Sequence, residues 1–219
     1  VERLPPVGER RLSAQVPVAF NAVVLSGGRS SRLGGTPKAH LEHKGQSLLD
    51  LTCQAAAAAR RIVVVGPDDV EGATFRARPV SREFVRESPP FGGPAAALAA
   101  AVDHLQDDST PWLLVLACDM PRIAEAIPSL LKAAVDRPDS SAMAHDGGRD
   151  QPLAALYRFA DLRLAVQEIH ASGGAQNLSM KALLARVQWR AIDVRPGSTA
   201  DVDTWADAQS LGVSGTAPT

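Results

Sequence analysis

Three short stretches carry side chains whose types and spacing suit phosphate and metal chemistry. The first, AVVLSGGRSSRLGGTPKAHL (Ala22 to Leu41), begins apolar and opens into a loop holding Gly27, Gly28, Gly34 and Gly35, the cations Arg29, Arg32 and Lys38, and no carboxylate. Glycines let backbone N–H groups approach an anion closely, and the cations add charge, so a polyphosphate fits such a loop. It is neither a Walker loop, because no Ser or Thr follows Lys38, nor a dinucleotide fingerprint, because the glycine spacing is not GxGxxG. Composition alone leaves a solvated basic turn as the alternative. The second stretch, LACDMP (Leu116 to Pro121), ends an apolar run in Asp119. A carboxylate there suits Mg²⁺, whose shell combines one or two carboxylates with waters and substrate phosphates; a helix cap is the competing role. The third, ADVDTWAD (Ala200 to Asp207), is acidic and reads as the start of a helix, where the helix dipole favours Asp.

Other reactive side chains point elsewhere. None of His40, His43, His104, His145 or His170 stands in a pattern with a Ser or Cys nucleophile, and all five are expected to be structural or on the surface. Cys53 and Cys118 lie in apolar runs with no CxxC pair and read as small core residues of a reducing compartment.

The elements that must position these groups alternate along the chain. Val18–Ser26 reads as a strand, Ser47–Ala59 as a helix capped by Ser47, and Arg61–Gly66 as a buried strand. A short strand is expected near Glu83–Glu87, a helix from Pro94 to about Leu105, a strand over Trp112–Cys118 and a helix from Ile123 to Val135. Further strands are expected near Ser140–His145, Pro152–Tyr157 and Gln188–Val194. Helices are expected near Phe159–His170 and Leu178–Val187, with a last one from Val202. Continuous Val/Leu/Ile strands separated by helices imply an α/β fold, with helices covering both faces of a mostly parallel sheet. In such sheets ligands bind at the carboxyl ends of the strands, where the glycine loop and Asp119 both fall.

The whole chain sets wider bounds. Its 219 residues, 45% of them apolar, suffice for one sizeable core, and one domain over residues 18–211 is expected. Residues 1–17 and 212–219 read as flexible tails because they are aperiodic and rich in small, polar or charged residues. With 23 basic and 24 acidic residues, the overall field favours neither nucleic acid nor an anionic membrane as a partner. No apolar run reaches the ~20 residues of a membrane span, and the first eighteen residues lack a signal-peptide core, so a cytoplasmic location is expected.

The string LSGGRSSRLGGTPK resembles the signature L-[AS]-G-G-x-S-x-R-x-G-x-x-K of the molybdenum cofactor guanylyltransferases, nucleotidyltransferases of glycosyltransferase-A-like fold. GGPAAAL resembles that family's GPLAG-I segment, LACDMP its CDxP metal motif, HDGGRDQPLAALYR its H/W-D-G-x-x-x-P-L region, and DVDT its D-x-D-T ending, all in the family's order over residues 20 to 210. The resemblance implies a three-layer α/β/α sandwich with a mixed, mostly parallel, Rossmann-like sheet. It further implies that Leu25, Ser26 and Gly27 line base and ribose, and that the loop amides, Gly28 among them, sit with Arg32 and Lys38 on the triphosphate. Gly93 would belong to the same nucleotide site. Asp119 would hold Mg²⁺, with Asp203 and neighbouring Asp201 supplying a further carboxylate, and Glu87 would stand where the family usually has an Asp that accepts from the guanine edge. Two further departures are Ala97, at the family's second Gly of GPLAG, and Gln176–Asn177, where basic residues facing the pterin are frequent.

The implied reaction is attack of the terminal phosphate of molybdopterin, with molybdenum already inserted, on the α-phosphate of GTP, releasing pyrophosphate. A phosphate monoester is already anionic, so no general base is needed; positioning and charge neutralisation by Mg²⁺ held on Asp119, by Lys38, by Arg32 and by backbone amides would do the work. Transient contacts with proteins that deliver the pterin or receive the product follow from the same resemblance. The alternatives are a cytidylyltransferase, another nucleotidyltransferase with a phosphorylated acceptor, or a non-catalytic nucleotide-binding protein.

Overall fold

The structure, a computed structural model, describes residues 18–28, 30–67 and 82–215. The expected tail over residues 1–17, Arg29 and the last four residues lie outside the described residues.

Seven strands form one sheet: β1 (Phe20–Leu25), β4 (Ile62–Val65), β5 (Arg82–Val85), β6 (Trp112–Ala117), β7 (Ser141–Asp146), β8 (Arg149–Arg158) and β9 (Trp189–Asp193), in the order β5-β4-β1-β6-β8-β7-β9. Among the described residues β8 alone runs against its neighbours, giving the mixed, mostly parallel sheet expected. β1 and β6 are buried along their whole length, as strands covered on both faces must be.

Alternate residues of each strand feed two cores. Ala22 and Val24 pack with Leu49 and Cys53 of α1 (Leu48–Ala55) and Leu130 of α3 (Ile127–Asp136). Val23 and Leu25 pack with Leu98 of α2 (Pro94–His104), Leu162 of α4 (Phe159–Ala171) and Leu183 of α5 (Met180–Leu184) on the other face. Each buried Val or Leu side chain among them contributes roughly 1.5–3 kcal/mol. These are the three layers.

Most expected elements are present, with shifted ends. Ser47 caps α1, accepting from Asp50 N–H at 3.0 Å. The helix expected from Ile123 is split into a 3₁₀ turn, Ile123–Glu125, and α3, because Pro128 has no N–H to donate and belongs in a first turn. The strands at 141–146 and 149–158 are a hairpin turned by Gly147 and Gly148, at φ 57 and 78. β8 slips register opposite Met143/Ala144, so that Pro152 lies in the irregular stretch. Tyr157 closes this kink by donating its hydroxyl to the Pro152 carbonyl at 2.8 Å.

A small second sheet was not anticipated. β2 (Glu42–His43), β3 (Gln46–Ser47) and β10 (Val213–Ser214) pair in the order β10-β2-β3. Val213 and Ser214 therefore depart from the expected tail. Gly212, at φ 67, ends α6 (Trp205–Leu211) and turns the chain so that Val213 is buried opposite His43. Beneath this sheet Leu33, Leu41, Leu48, Val202 and Leu211 form a third core. Among the described residues no helix is long and apolar enough to cross a membrane.

Candidate active site

Register places the site. Leu25 and Ala117 are partners at the ends of the parallel strands β1 and β6, and Cys118 N–H bonds the Leu25 carbonyl at 3.0 Å. The glycine loop and Asp119 thus leave the sheet side by side, at its centre. A cavity of about 530 Å³ opens there, lined by Leu25, Gly27, Gly28, Arg32, Lys38, Glu87, Gly93, Asp119 and Asp203 of the sequence-predicted residues.

Gly28 and Gly93 need to be glycine on backbone grounds, at φ 142 and 90, and a Cβ at either would meet nothing within 4 Å. Their backbones are bare toward open space, as close approach to a ligand requires. Gly93 also precedes α2, whose first turn holds Pro94 as expected.

Lys38 begins a 3₁₀ turn, Lys38–His40, anchored by buried Ala39 and Leu41. Its Nζ donates to Asp119 Oδ2 at 2.7 Å and to Asp203 Oδ1 at 2.5 Å. Burial disfavours the charged ammonium, but the two adjoining carboxylates outweigh it and hold the pKa above the usual lysine value. Lys38 and Asp119 are mostly shielded, at 19% and 16% exposure, whereas Arg32, 3.6 Å from Asp203 Oδ2, is 73% exposed. Asp119 caps no helix: its carboxylate takes Lys38, and the next helical turn begins only at Ile123.

The acidic segment is placed differently from the helix start expected of it. α6 begins at Trp205, with Thr204 as its cap in a reciprocal capping box with Asp207. The helix-start role thus belongs to Asp207, whose pKa is lowered by bonds from the Thr204 hydroxyl and N–H. Asp201 and Asp203 come before the cap, on either side of fully buried Val202, whose N–H bonds the Asp119 carbonyl at 3.0 Å. That bond sets the three carboxylates together: Asp119, Asp201 and Asp203 each offer an oxygen within 4.8 Å of the others. Asp201 lies off the cavity lining; partial burial, then the charges of Asp119 and Asp203, raise its pKa. Among the described residues, the cations paired with this group of three carboxylates are Lys38 and Arg32, and such an oxygen-rich donor set fits a hard divalent cation.

One layer behind, Asp146 of the HDGG segment accepts from Gly197 N–H, Thr199 N–H and the Thr199 hydroxyl at 2.9–3.0 Å, fixing the chain just ahead of Asp201. Burial alone would raise its pKa, but these bonds lower it.

Ser26 departs from expectation. Its hydroxyl donates to the Val65 carbonyl at 3.1 Å and sits where a Cβ at Gly66 would fall, so it ties β1 to β4 and does not line the cavity. Glu87 does line it, but one oxygen accepts the N–H of Phe91 at 3.1 Å within its own loop. Gln176 and Asn177 are likewise outside the main cavity. Gln176 lines a second cavity of about 550 Å³ with Arg86, Pro89 and His170, and Asn177 N–H bonds the Gly92 carbonyl at 2.9 Å. Phe91, 54% exposed, and Leu153 complete the apolar end of the main cavity and were missed by sequence reasoning. An aromatic residue amid PPFGG at a strand's exit was the available signal for Phe91. Leu153 lies in the HDGGRDQPLAALYR segment, but sequence reasoning assigns it no role; the kink in β8 brings it there. None of the five histidines lines the cavity; His104, His145 and His170 pair with Glu83, Asp150 and Asp103. Cys53 and Cys118 are buried free thiols, and burial pushes both pKa values up, that of Cys53 to about 11.

The profile of the MobA-like NTP transferase domain matches residues 22–188. The chain is 30% identical over 142 residues to a molybdenum cofactor guanylyltransferase of Shewanella sp. (strain ANA-3), spanning 64% of this chain and 68% of that protein. It is 32% identical over 153 residues to a probable molybdenum cofactor guanylyltransferase of Synechococcus elongatus, spanning 64% and 72%. Among solved structures, molybdopterin-guanine dinucleotide biosynthesis protein A from Archaeoglobus fulgidus superposes with a TM-score of 0.61 at 18% identity, covering 88% of this chain and 96% of that one. 2-C-methyl-D-erythritol 4-phosphate cytidylyltransferase from Thermus thermophilus also scores 0.61 at 18% identity, covering 90% and 98%. These two likenesses establish the fold and leave the base open. Matched by the profile from β1 almost to β9, the chain belongs to the family of MobA-like NTP transferases, enzymes of nucleotidyl transfer.

Proposed function

We propose that this protein transfers GMP from GTP to the terminal phosphate of molybdopterin, carrying molybdenum, to form molybdopterin guanine dinucleotide and pyrophosphate. The observation that carries the reading is the meeting of Lys38, Asp119 and Asp203 beside the glycine loop, at one end of a cavity whose other end is apolar. The guanylyltransferase names of its relatives supply the substrates.

The charged end takes the triphosphate. Loop amides around Gly27 and Gly28 accept close approach of the phosphates, Lys38 and Arg32 neutralise them, and the apolar end with Leu25 and Phe91 takes the base. Asp119, with Asp203 and Asp201, would hold Mg²⁺, which when bound supplies positive charge at the reacting phosphates. The acceptor phosphate needs no base to deprotonate it, consistent with the five histidines standing off the cavity. Glu87 keeps one oxygen for the guanine edge while the other holds Phe91. The substrates and the reducing-type cysteines fit a cytoplasmic location.

The test is pyrophosphate release with GTP, CTP, ATP or UTP, each with Mg²⁺ and molybdopterin. Release with GTP well above the other three supports the proposal. Preference for CTP, or release that needs a different phosphorylated acceptor, overturns it while leaving nucleotidyl transfer in place.

A further inference from the structure

Lys38 is expected on the triphosphate, yet its ammonium lies between Asp119 and Asp203, at 2.7 and 2.5 Å from their oxygens. Mg²⁺ takes such oxygens at about 2.0–2.1 Å. The ammonium sits between these two oxygens, so a metal bound to this same pair, Asp119 Oδ2 and Asp203 Oδ1, cannot be there with it. The backbone beneath is fixed, with Pro37 before Lys38, Leu41 N–H on the Lys38 carbonyl, and Ala39 buried. Only the lysine's flexible four-carbon stem has freedom to move. Its alternative partner is the bound triphosphate, which enters beside the same loop.

We propose that Lys38 holds the place of the divalent cation in the nucleotide-free protein, so that Asp119 and Asp203 accept the metal only when a triphosphate draws the lysine away. Metal and nucleotide then load together, and free metal is turned away from the empty enzyme. This rests on the reading of the aspartate cluster as the metal's site. The apparent metal affinity falls by the fraction of molecules whose lysine is withdrawn, so withdrawal in about one molecule in ten or fewer weakens binding roughly tenfold or more.

Mn²⁺ binding to the full chain without nucleotide, read by electron paramagnetic resonance, tests this on wild type, Lys38→Met and Lys38→Gln. Both variants are expected to bind Mn²⁺ at least ~10-fold more tightly than wild type, and adding Asp119→Asn to Lys38→Met should erase the gain. Mg²⁺ alone should raise the melting temperature of the variants but not of wild type. Equal Mn²⁺ affinity in all three proteins, or a gain that survives Asp119→Asn, overturns the proposal. A reading that needs no variant is the reactivity of the Lys38 amine toward acetic anhydride, followed by mass spectrometry. It should be unchanged by Mg²⁺ alone, and a change would mean that the metal displaces the lysine unaided. Failure of wild type to bind GTP would instead remove the guanylyltransferase reading, with the Mn²⁺ comparison still deciding this one.

Discussion

At the Lys38 end of the cavity the functional side chains are held through buried structure: Lys38 by the turn over Ala39 and Leu41, Asp119 by the last residues of β6, and Asp203 by Val202. At the Glu87 end, the loop after β5 is held by an exposed bond from Phe91 N–H to Glu87 and by the bond between Asn177 and Gly92. On the proposed reading, the groups assigned to the phosphates hang from the centre of the sheet, whereas those assigned to the base sit on a surface loop. If the proposed function holds, the difference divides labour: reaction chemistry rests on the core, and base selection rests where substitution costs the fold little.

Asp119→Asn tests the core-held end most severely. The fold should persist, because Asn keeps the shape and Val202 still bonds the Asp119 backbone carbonyl. Mg²⁺-dependent pyrophosphate release should fall by at least ~100-fold, the scale of losing one preorganised charge contact. Near-wild-type turnover with an unchanged circular dichroism spectrum would break the assignment of chemistry to this end.

At the loop end, Glu87→Gln should leave turnover with saturating GTP largely intact but narrow the preference for GTP over ATP, which the proposed function expects to be roughly tenfold or greater in wild type. Gln can still accept the Phe91 N–H, so the loop stays in place while the second acceptor for the guanine edge is lost. Dissociation constants for GTP, ITP and ATP measure this, ITP lacking only the exocyclic amine. An unchanged ranking would mean that Glu87 serves the loop alone.

The smallest effect belongs to Asp146, one layer behind the aspartate cluster. Asp146→Asn should cost about 1–3 kcal/mol at neutral pH, because an amide cannot accept all three bonds from Gly197 and Thr199. Asp146 has a lowered folded-state pKa, so its contribution is present above the unfolded carboxyl pKa of about 3.9 and is lost as pH falls through the folded value. The stability gap between wild type and variant, from urea melts, should therefore close in strong acid. A gap independent of pH would show that Asp146 acts by shape and not by charge.

Much of this architecture was legible in the chain. Runs such as Trp112–Ala117 are apolar throughout, as a doubly covered strand is, and the types and positions of Gly28, Lys38 and Asp119 singled out residues that line one cavity. What stayed hidden depended on partners distant in sequence. β2, β3 and β10 are two residues each, too short for any period to register. The Ser26 hydroxyl turns inward because Val65 of a neighbouring strand offers a carbonyl. Helix α6 starts at Trp205 because the Thr204–Asp207 box outcompetes the earlier aspartates.

The bond from Lys38 to Asp203 spans 165 residues, and the bond from Val202 to Asp119 closes the same region. Closing loops that long is slow, because chain entropy is lost before the contact forms. A chain emerging amino terminus first can pair β1 with β4 and β6 well before residues 201–203 leave the ribosome. The aspartate cluster can therefore close only once residues 201–203 have emerged, so a nascent chain can carry the glycine loop before it carries the completed cluster.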